Sequence, residues 1–169
     1  LQKADKPVEV YAEEYVNPEK EVNSVKEAID GAKDIIAESV SDEADYRIWI
    51  RKATVQHGKV ISQAKDEKAE SVYEMYYDFE EPVTKLAGHR VLALNRGEKE
   101  KFLTVKIEAP QDDILRYLEK KMIHSDNPHT TPILKEVAED SYKRLIAPAI
   151  EREIRSDPVS YTHLTLPTT

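Results

Sequence analysis

Cysteine is absent from the 169-residue sequence. Its absence excludes disulfides, cysteine-ligated zinc, iron–sulfur centres and a thiol nucleophile, and it fits a reducing compartment. Glycine is scarce. The four glycines are scattered and form neither G-x-G-x-x-G nor G-K-S/T, so a glycine-rich phosphate loop is excluded. No serine sits in a G-x-S-x-G turn. No run approaches the roughly 20 apolar residues that a membrane span requires, and no basic-then-apolar leader opens the chain. Positive charge is in deficit as well. Lys and Arg number 25 against 33 Asp and Glu, for a formal net charge of -8 and a pI near 5.2. That balance weighs against a stand-alone nucleic-acid binder, which draws on clustered Lys and Arg, while leaving room for a local basic patch. A cytoplasmic location follows as the expectation.

What remains is a chain in which 34% of residues are charged and 40% hydrophobic. Such a composition favours helices with solvated outer faces. The first residue is Leu1 and the only methionines are Met75 and Met122, so we expect a piece of a longer polypeptide. Helical patterning runs through Glu151, Arg152, Ile154 and Arg155. It then gives way to DPVSYTHLTLPTT, which has one acid, no Lys or Arg, and prolines at 158 and 167. Residues 157–169 are expected to be a non-native or disordered tail, of the kind left by cloning or sequencing adapters, and residues 1–156 the folded region.

Pro7–Tyr15 reads as a short helix ended by Asn17-Pro18. Ser24 with Glu27 three positions on forms a capping box. The helix behind it places Ala28, Ala32, Ile35 and Ile36 on one stripe, and Gly31 within it costs about 1 kcal/mol against alanine, which suits a close helix contact. Ser41-Asp42 starts another helix, with Ala44, Ile48 and Val55 inward and Gly58 closing it. The two are expected to pack as an antiparallel hairpin. Lys59–Ser62 reads as a brief strand, Asp66–Tyr77 as helix, and Gly88–Asn95 as a helix stopped at Gly97. Phe102–Ile107 alternates as a half-buried strand. Asp112–Met122 is amphipathic, and His124–Pro132 is a loop. A long helix follows, carrying Leu134, Val137, Ala138, Ser141, Tyr142, Leu145, Ile146, Ala149, Ile150 and Ile154 inward. Pro148 should kink it at a cost of about 3 kcal/mol. If the helix is cut short, Ile146, Ile150 and Ile154 would be left as an exposed apolar stripe. The fold class expected is mainly α with a minor β element and a long kinked C-terminal helix.

Five blocks stand in order along the chain: A-x-x-G-A-x-x-I-I-A-E (Ala28–Glu38), S-D-x-A-x-x-R (Ser41–Arg47), Y-E-x-Y-Y-D-F (Tyr73–Phe79), H-R-x-L-A-x-N-R-G-E (His89–Glu98) and D-S-Y-K-R-L-I-x-P-x-I-E-R-E (Asp140–Glu153). Together they resemble the Tex transcription-accessory proteins of bacteria, over nearly everything up to Ser156. The resemblance implies part of an N-terminal helical region with a helix-turn-helix-like portion. It also implies a parent that carries its RNase-H-like, helix-hairpin-helix and OB-fold RNA-binding parts elsewhere. Partners implied are RNA or DNA through that parent, and transcription machinery. Neither a membrane nor a small-molecule substrate is expected.

Site candidates are few. Arg90, Arg96 and Lys99 form a basic cluster beside His89 that could contact a phosphate backbone. The structural alternative pairs Arg90 with an acid and makes Arg96-Gly97 a helix stop, and we favour it because Glu98 and Glu100 dilute the field. His124 and His129 flank Asp126 without metal-ligand spacing. The doublets Glu13-Glu14, Glu80-Glu81 and Asp112-Asp113 fall among 33 acids, where adjacent pairs arise by chance. Tyr73, Tyr76, Tyr77 and Phe79 could stack bases, but interleaved acids favour packing instead. No catalytic, cofactor or metal site is expected, so the chain reads as a non-enzymatic scaffold, with a nucleic-acid-binding module as the alternative.

Overall fold

The computed structural model describes residues 4–20 and 23–156; the expected tail at 157–169 lies outside them. The chain divides into two compact units, Leu1–Arg47 with Asp112–Ala147 and Ile48–Gln111 with Pro148–Thr169. Helices dominate, as the composition predicts, and the β element is a three-stranded antiparallel sheet.

The first unit holds α1 (Val8–Ala12), α2 (Val25–Asp42), the start of α3 (Ala44–His57), α5 (Gln111–Met122, from Asp112) and α6 (Thr131–Asp140). Two short 3-10 turns follow α1, the second opened by Pro18. Ser24 caps α2: its Oγ accepts from the Glu27 N–H at 3.1 Å. The Glu27 carboxylate reaches back to the Asn23 N–H at 2.7 Å, one residue earlier than a standard capping box.

The buried face of α2 is not the expected one. Ala37, Val40 and Ser41 are buried, whereas Ile35 is 67% exposed and Ala32 is exposed. Two apolar stripes wind around this helix. Tertiary partners choose the one running through Ile29 and Ala37. Those partners are α1, α6 and the helical segment after α6. Small residues allow the close approach: Ala37, Ala138 and Ser141 have no exposed surface, and Ser141 Oγ donates to the Ala37 carbonyl at 2.7 Å. The break between α2 and α3 falls at Glu43, which is extended at φ -72, ψ 111. In α5 the pattern holds, with Ile114, Leu118 and Met122 buried.

The loop before α6 is built around Asn127. Its Oδ1 accepts from the backbone N–H groups of His129 and Thr130, at 2.8 and 3.3 Å. Its Nδ2 donates to the Ala4 carbonyl at 2.7 Å. Beyond α6, Ser141–Ile146 is a π-helical segment, and α7 (Ala147–Ser156) continues it. The irregularity expected at Pro148 is therefore a wide turn upstream. The Ala147 N–H reaches the Tyr142 carbonyl, five residues back, in the stretch where Pro148 offers no donor. Ile146, Ile150 and Ile154 are buried, at 0, 2 and 2% exposure, so no apolar stripe is left open there.

The second unit holds the rest of α3, the strands β1 (Lys59–Ala64), β2 (Asp78–Pro82) and β3 (Leu103–Glu108), helix α4 (Gly88–Lys99) and α7. The sheet order is β2-β1-β3, with Val60 opposite Glu81 and Ile107, and Ser62 opposite Phe79 and Val105. Leu103 and Val105 are buried, as alternation predicts, and Val105 lines a small cavity with Val91 and Leu94 of α4 and Ile154 of α7. On α3, Ile50, Ala53, Thr54 and Val55 are buried, while Ala44 and Ile48 are exposed, against expectation.

Asp66–Tyr77, expected as helix, has only one 3-10 turn, Glu74–Tyr76, amid bends and turns. Local bonds explain it. Asp66 Oδ1 accepts from the Lys68 N–H, and Tyr77 Oη donates to the Ala69 carbonyl at 2.6 Å, a compact loop that competes with helix. Gly97 does not stop α4 but lies buried within it. A Cβ there would stand 2.5 Å from Leu103 Cδ1 and 3.1 Å from Tyr73 Cδ1.

Candidate nucleic-acid interface

Helix α4 carries the three basic candidates. Backbone geometry at Ala87 (φ -71, ψ 145) starts it without a side-chain cap. Its end is a Schellman motif: the Phe102 N–H donates to the Gly97 carbonyl at 2.9 Å and the Lys101 N–H to the Glu98 carbonyl at 3.0 Å. Lys101 holds the left-handed position at φ 68, where glycine is usual.

The three cations are not brought together. At about 100° per residue, Arg96 and Lys99 lie roughly 120° and 180° around the helix from Arg90. Arg90 Nη1 contacts Glu81 Oε2 at 3.3 Å, and its guanidinium lies 5.7 Å from the centre of the Phe79 ring. Pairing with an acid is the structural role weighed for it above. Arg96 and Lys99 are exposed, three residues apart on one side, and neither side chain makes a hydrogen bond or ion pair among the described residues. The neighbouring acids are engaged: Glu98 with Arg155, and Glu100 as acceptor for the Tyr73 hydroxyl. That hydrogen bond, with burial, holds the Tyr73 phenol above its ordinary pKa of 10.0.

The aromatic cluster turns inward. Tyr73 and Tyr76 are buried, Tyr76 meets Phe79 edge-on at 5.2 Å, and Tyr73 lies 5.9 Å from Phe102. Base stacking on these two tyrosines is closed off by their own packing. Glu80 pairs with Lys59 at 2.9 Å and Glu81 with Arg90, on opposite faces of β2. Asp113 pairs with Arg116 in the first turn of α5. His124 Nε2 lies 3.1 Å from the Lys121 carbonyl oxygen, and the His129 backbone N–H belongs to the Asn127 turn. Among the described residues no three His, Asp or Glu converge as metal ligands, and no helix is long and apolar enough to cross a membrane. In the second unit, Val60, Val83, Leu86, Leu94, Val105 and Ile154 help line a cavity of only ≈ 20 Å³, room for about one water.

One constellation was not foreseen. Arg155 pairs with Glu98 across 57 residues, and with Glu151 at 3.7 Å. Asn95 Nδ2 donates to the Arg155 carbonyl at 2.9 Å. Only the Glu151–Arg155 half is visible as an i,i+4 pair; nothing local marks Glu98 as its third member.

A family model described as "Tex central region-like" matches residues 2–159. Its description names a central region, whereas the resemblance drawn from the blocks is to an N-terminal helical one. The chain is 54% identical over 149 residues to "Uncharacterized protein YdcI" of Bacillus subtilis (strain 168), covering 86% of this chain and 21% of that protein. It is 28% identical over 167 residues to human "S1 RNA-binding domain-containing protein 1", covering 90% and 17%. It is 29% identical over 109 residues to "Transcriptional accessory protein Tex" of Neisseria gonorrhoeae, covering 63% and 14%. The chain thus spans between 14% and 21% of the length of each.

Proposed function

Because this chain belongs to the Tex central region-like family, we propose that it is a non-catalytic scaffold segment of a longer transcription-accessory protein, positioning nucleic-acid-binding parts that lie elsewhere in the parent. The Tex-like region is 1–156, followed by the tail at 157–169, and the parent works in the cytoplasm. It meets RNA or DNA and the transcription machinery, with no membrane or small-molecule substrate involved.

The observation that carries this reading is how the arginines are used. Arg155 is tied to Glu98 and Glu151, Arg144 to Asp140 and Asp34, Arg51 to Glu153 and Arg90 to Glu81. Cations held by acids of their own fold have little to offer a phosphate backbone. The printed names of the relatives support the wider setting, since one is named for an S1 RNA-binding domain and another as a transcriptional accessory protein. The test is an RNA-binding titration of this chain beside a full-length relative. Weak or no binding by the chain alone is expected; affinity equal to that of the full-length protein would refute the scaffold reading.

A second reading rests on Arg96 and Lys99 at the end of α4, whose exposed side chains have no ion-pair partner among the described residues. In it, the chain is a helix-turn-helix-like module that touches nucleic acid through Arg90, Arg96 and Lys99. Replacing all three by alanine would then weaken binding and flatten its salt dependence. An unchanged slope removes this reading.

A further inference from the structure

The sheet of the second unit has two outer edges, and they are defended differently. Strand β2 carries Asp78, Glu80 and Glu81 and ends at Pro82, which blunts pairing by charge and by a missing donor. Strand β3, LTVKIE, has no proline and presents Leu103, Val105 and Ile107 on one face. Its outward backbone groups are met by side chains where a strand would otherwise sit. The Val105 N–H donates to Glu98 Oε2 at 3.4 Å, and the Ile107 N–H donates to Glu151 Oε1 at 3.2 Å. Arg155 Nη1 donates to the Val105 carbonyl at 3.4 Å while its guanidinium binds Glu98 and Glu151. Two carboxylates and one guanidinium thus imitate the donor and acceptor row of a neighbouring strand. At 3.4, 3.2 and 3.4 Å, all three bonds to the strand are longer than an ordinary N–H···O bond of about 2.9–3.0 Å.

We propose that Glu98, Glu151 and Arg155 form an edge lock, and that the surface they close is a strand-addition site which a second copy of this chain occupies once the lock is released. Antiparallel pairing of β3 with its own copy about Val105 sets Leu103 opposite Ile107 and Thr104 opposite Lys106. That register opposes no like charges and keeps the apolar residues on one face. The acids and Pro82 on β2 make that edge the poorer partner.

The experiment uses the full 169-residue chain. Wild type and Glu98→Ala/Glu151→Ala are compared by amide hydrogen exchange and sedimentation equilibrium across a concentration series. In the dilute variant, exchange at Val105 and Ile107 rises by about ten-fold or more over wild type. As concentration increases, the variant's mass doubles and both amides regain protection. Unchanged exchange at these two amides, a variant whose mass never rises, or a dimer in which both amides still exchange fast would each overturn the proposal. If the inner amides of Thr104 and Lys106 also lose protection, the sheet itself has failed, and the single variants Glu98→Ala, read at Val105, and Glu151→Ala, read at Ile107, are judged by the same criteria.

Discussion

Two glycines sit inside helices of this chain, and replacing each by alanine should move stability in opposite directions. In a helix interior alanine is better than glycine by about 1 kcal/mol, whatever the tertiary surroundings. At Gly31 nothing lies within 4 Å of an added Cβ, so that gain should be realised in full. At Gly97 the added carbon would stand 2.5 Å from Leu103 Cδ1, 2.9 Å from Leu103 Cγ and 3.1 Å from Tyr73 Cδ1. Ordinary carbon contacts are about 3.5–4.0 Å. Leu103 has no exposed surface and belongs to a paired strand, and Tyr73 is tied to Glu100, so neither can step aside cheaply. Overpacking costs roughly 1–3 kcal/mol, and a contact as short as 2.5 Å belongs in the upper part of that range, about 2–3, which exceeds the helix gain. We therefore expect Gly97→Ala to lose about 1–2 kcal/mol and Gly31→Ala to gain up to about 1. Urea titration followed by far-UV circular dichroism reads both, and a change of 1 kcal/mol moves the midpoint by roughly 0.5 M if the slope is about 2 kcal/mol/M. Hydrogen exchange localises the effect to α4 and β3 or to α2. A Gly97→Ala protein as stable as wild type would refute the packing argument.

Lys101→Gly should stabilise by about 0.5–1 kcal/mol in the same titration. It removes a left-handed penalty of roughly 1–2 kcal/mol, partly offset by glycine's freedom in the unfolded chain. Ser62→Ala should be neutral or gain up to about 1 kcal/mol, because Ser62 Oγ is buried with no hydrogen-bond partner among the described residues; a clear loss would mean the hydroxyl is satisfied. The Tyr73 phenol ionises above 10.0 in the folded chain, so its contribution to stability is whole below that pH and is lost as pH rises through the raised value. An ultraviolet tyrosinate titration should show late-ionising phenols at Tyr73 and at Tyr117, which burial raises, and Tyr73→Phe should remove one of them and leave the other.

Some of this protein was legible from neighbouring residues alone. Ser24 and Glu27 marked a helix start because a capping bond closes within three residues. The alternation of Leu103, Val105 and Ile107 marked a strand because successive side chains leave on opposite faces. The five ordered blocks placed the chain in its family, since their order is itself a property of the sequence. Tertiary structure decided the rest. Either of two stripes on α2 could have been buried, and Ala138 and Ser141, a hundred positions away, selected the one with Ala37. Gly97 resembled a helix stop until Leu103 and Tyr73 closed on it. Arg90 and Lys99 are near neighbours in sequence and lie on opposite sides of one helix, while Glu98 and Arg155, 57 positions apart, share a hydrogen bond. Local backbone bonds are written within a few residues, but the partner a side chain meets is chosen by the folding of distant segments.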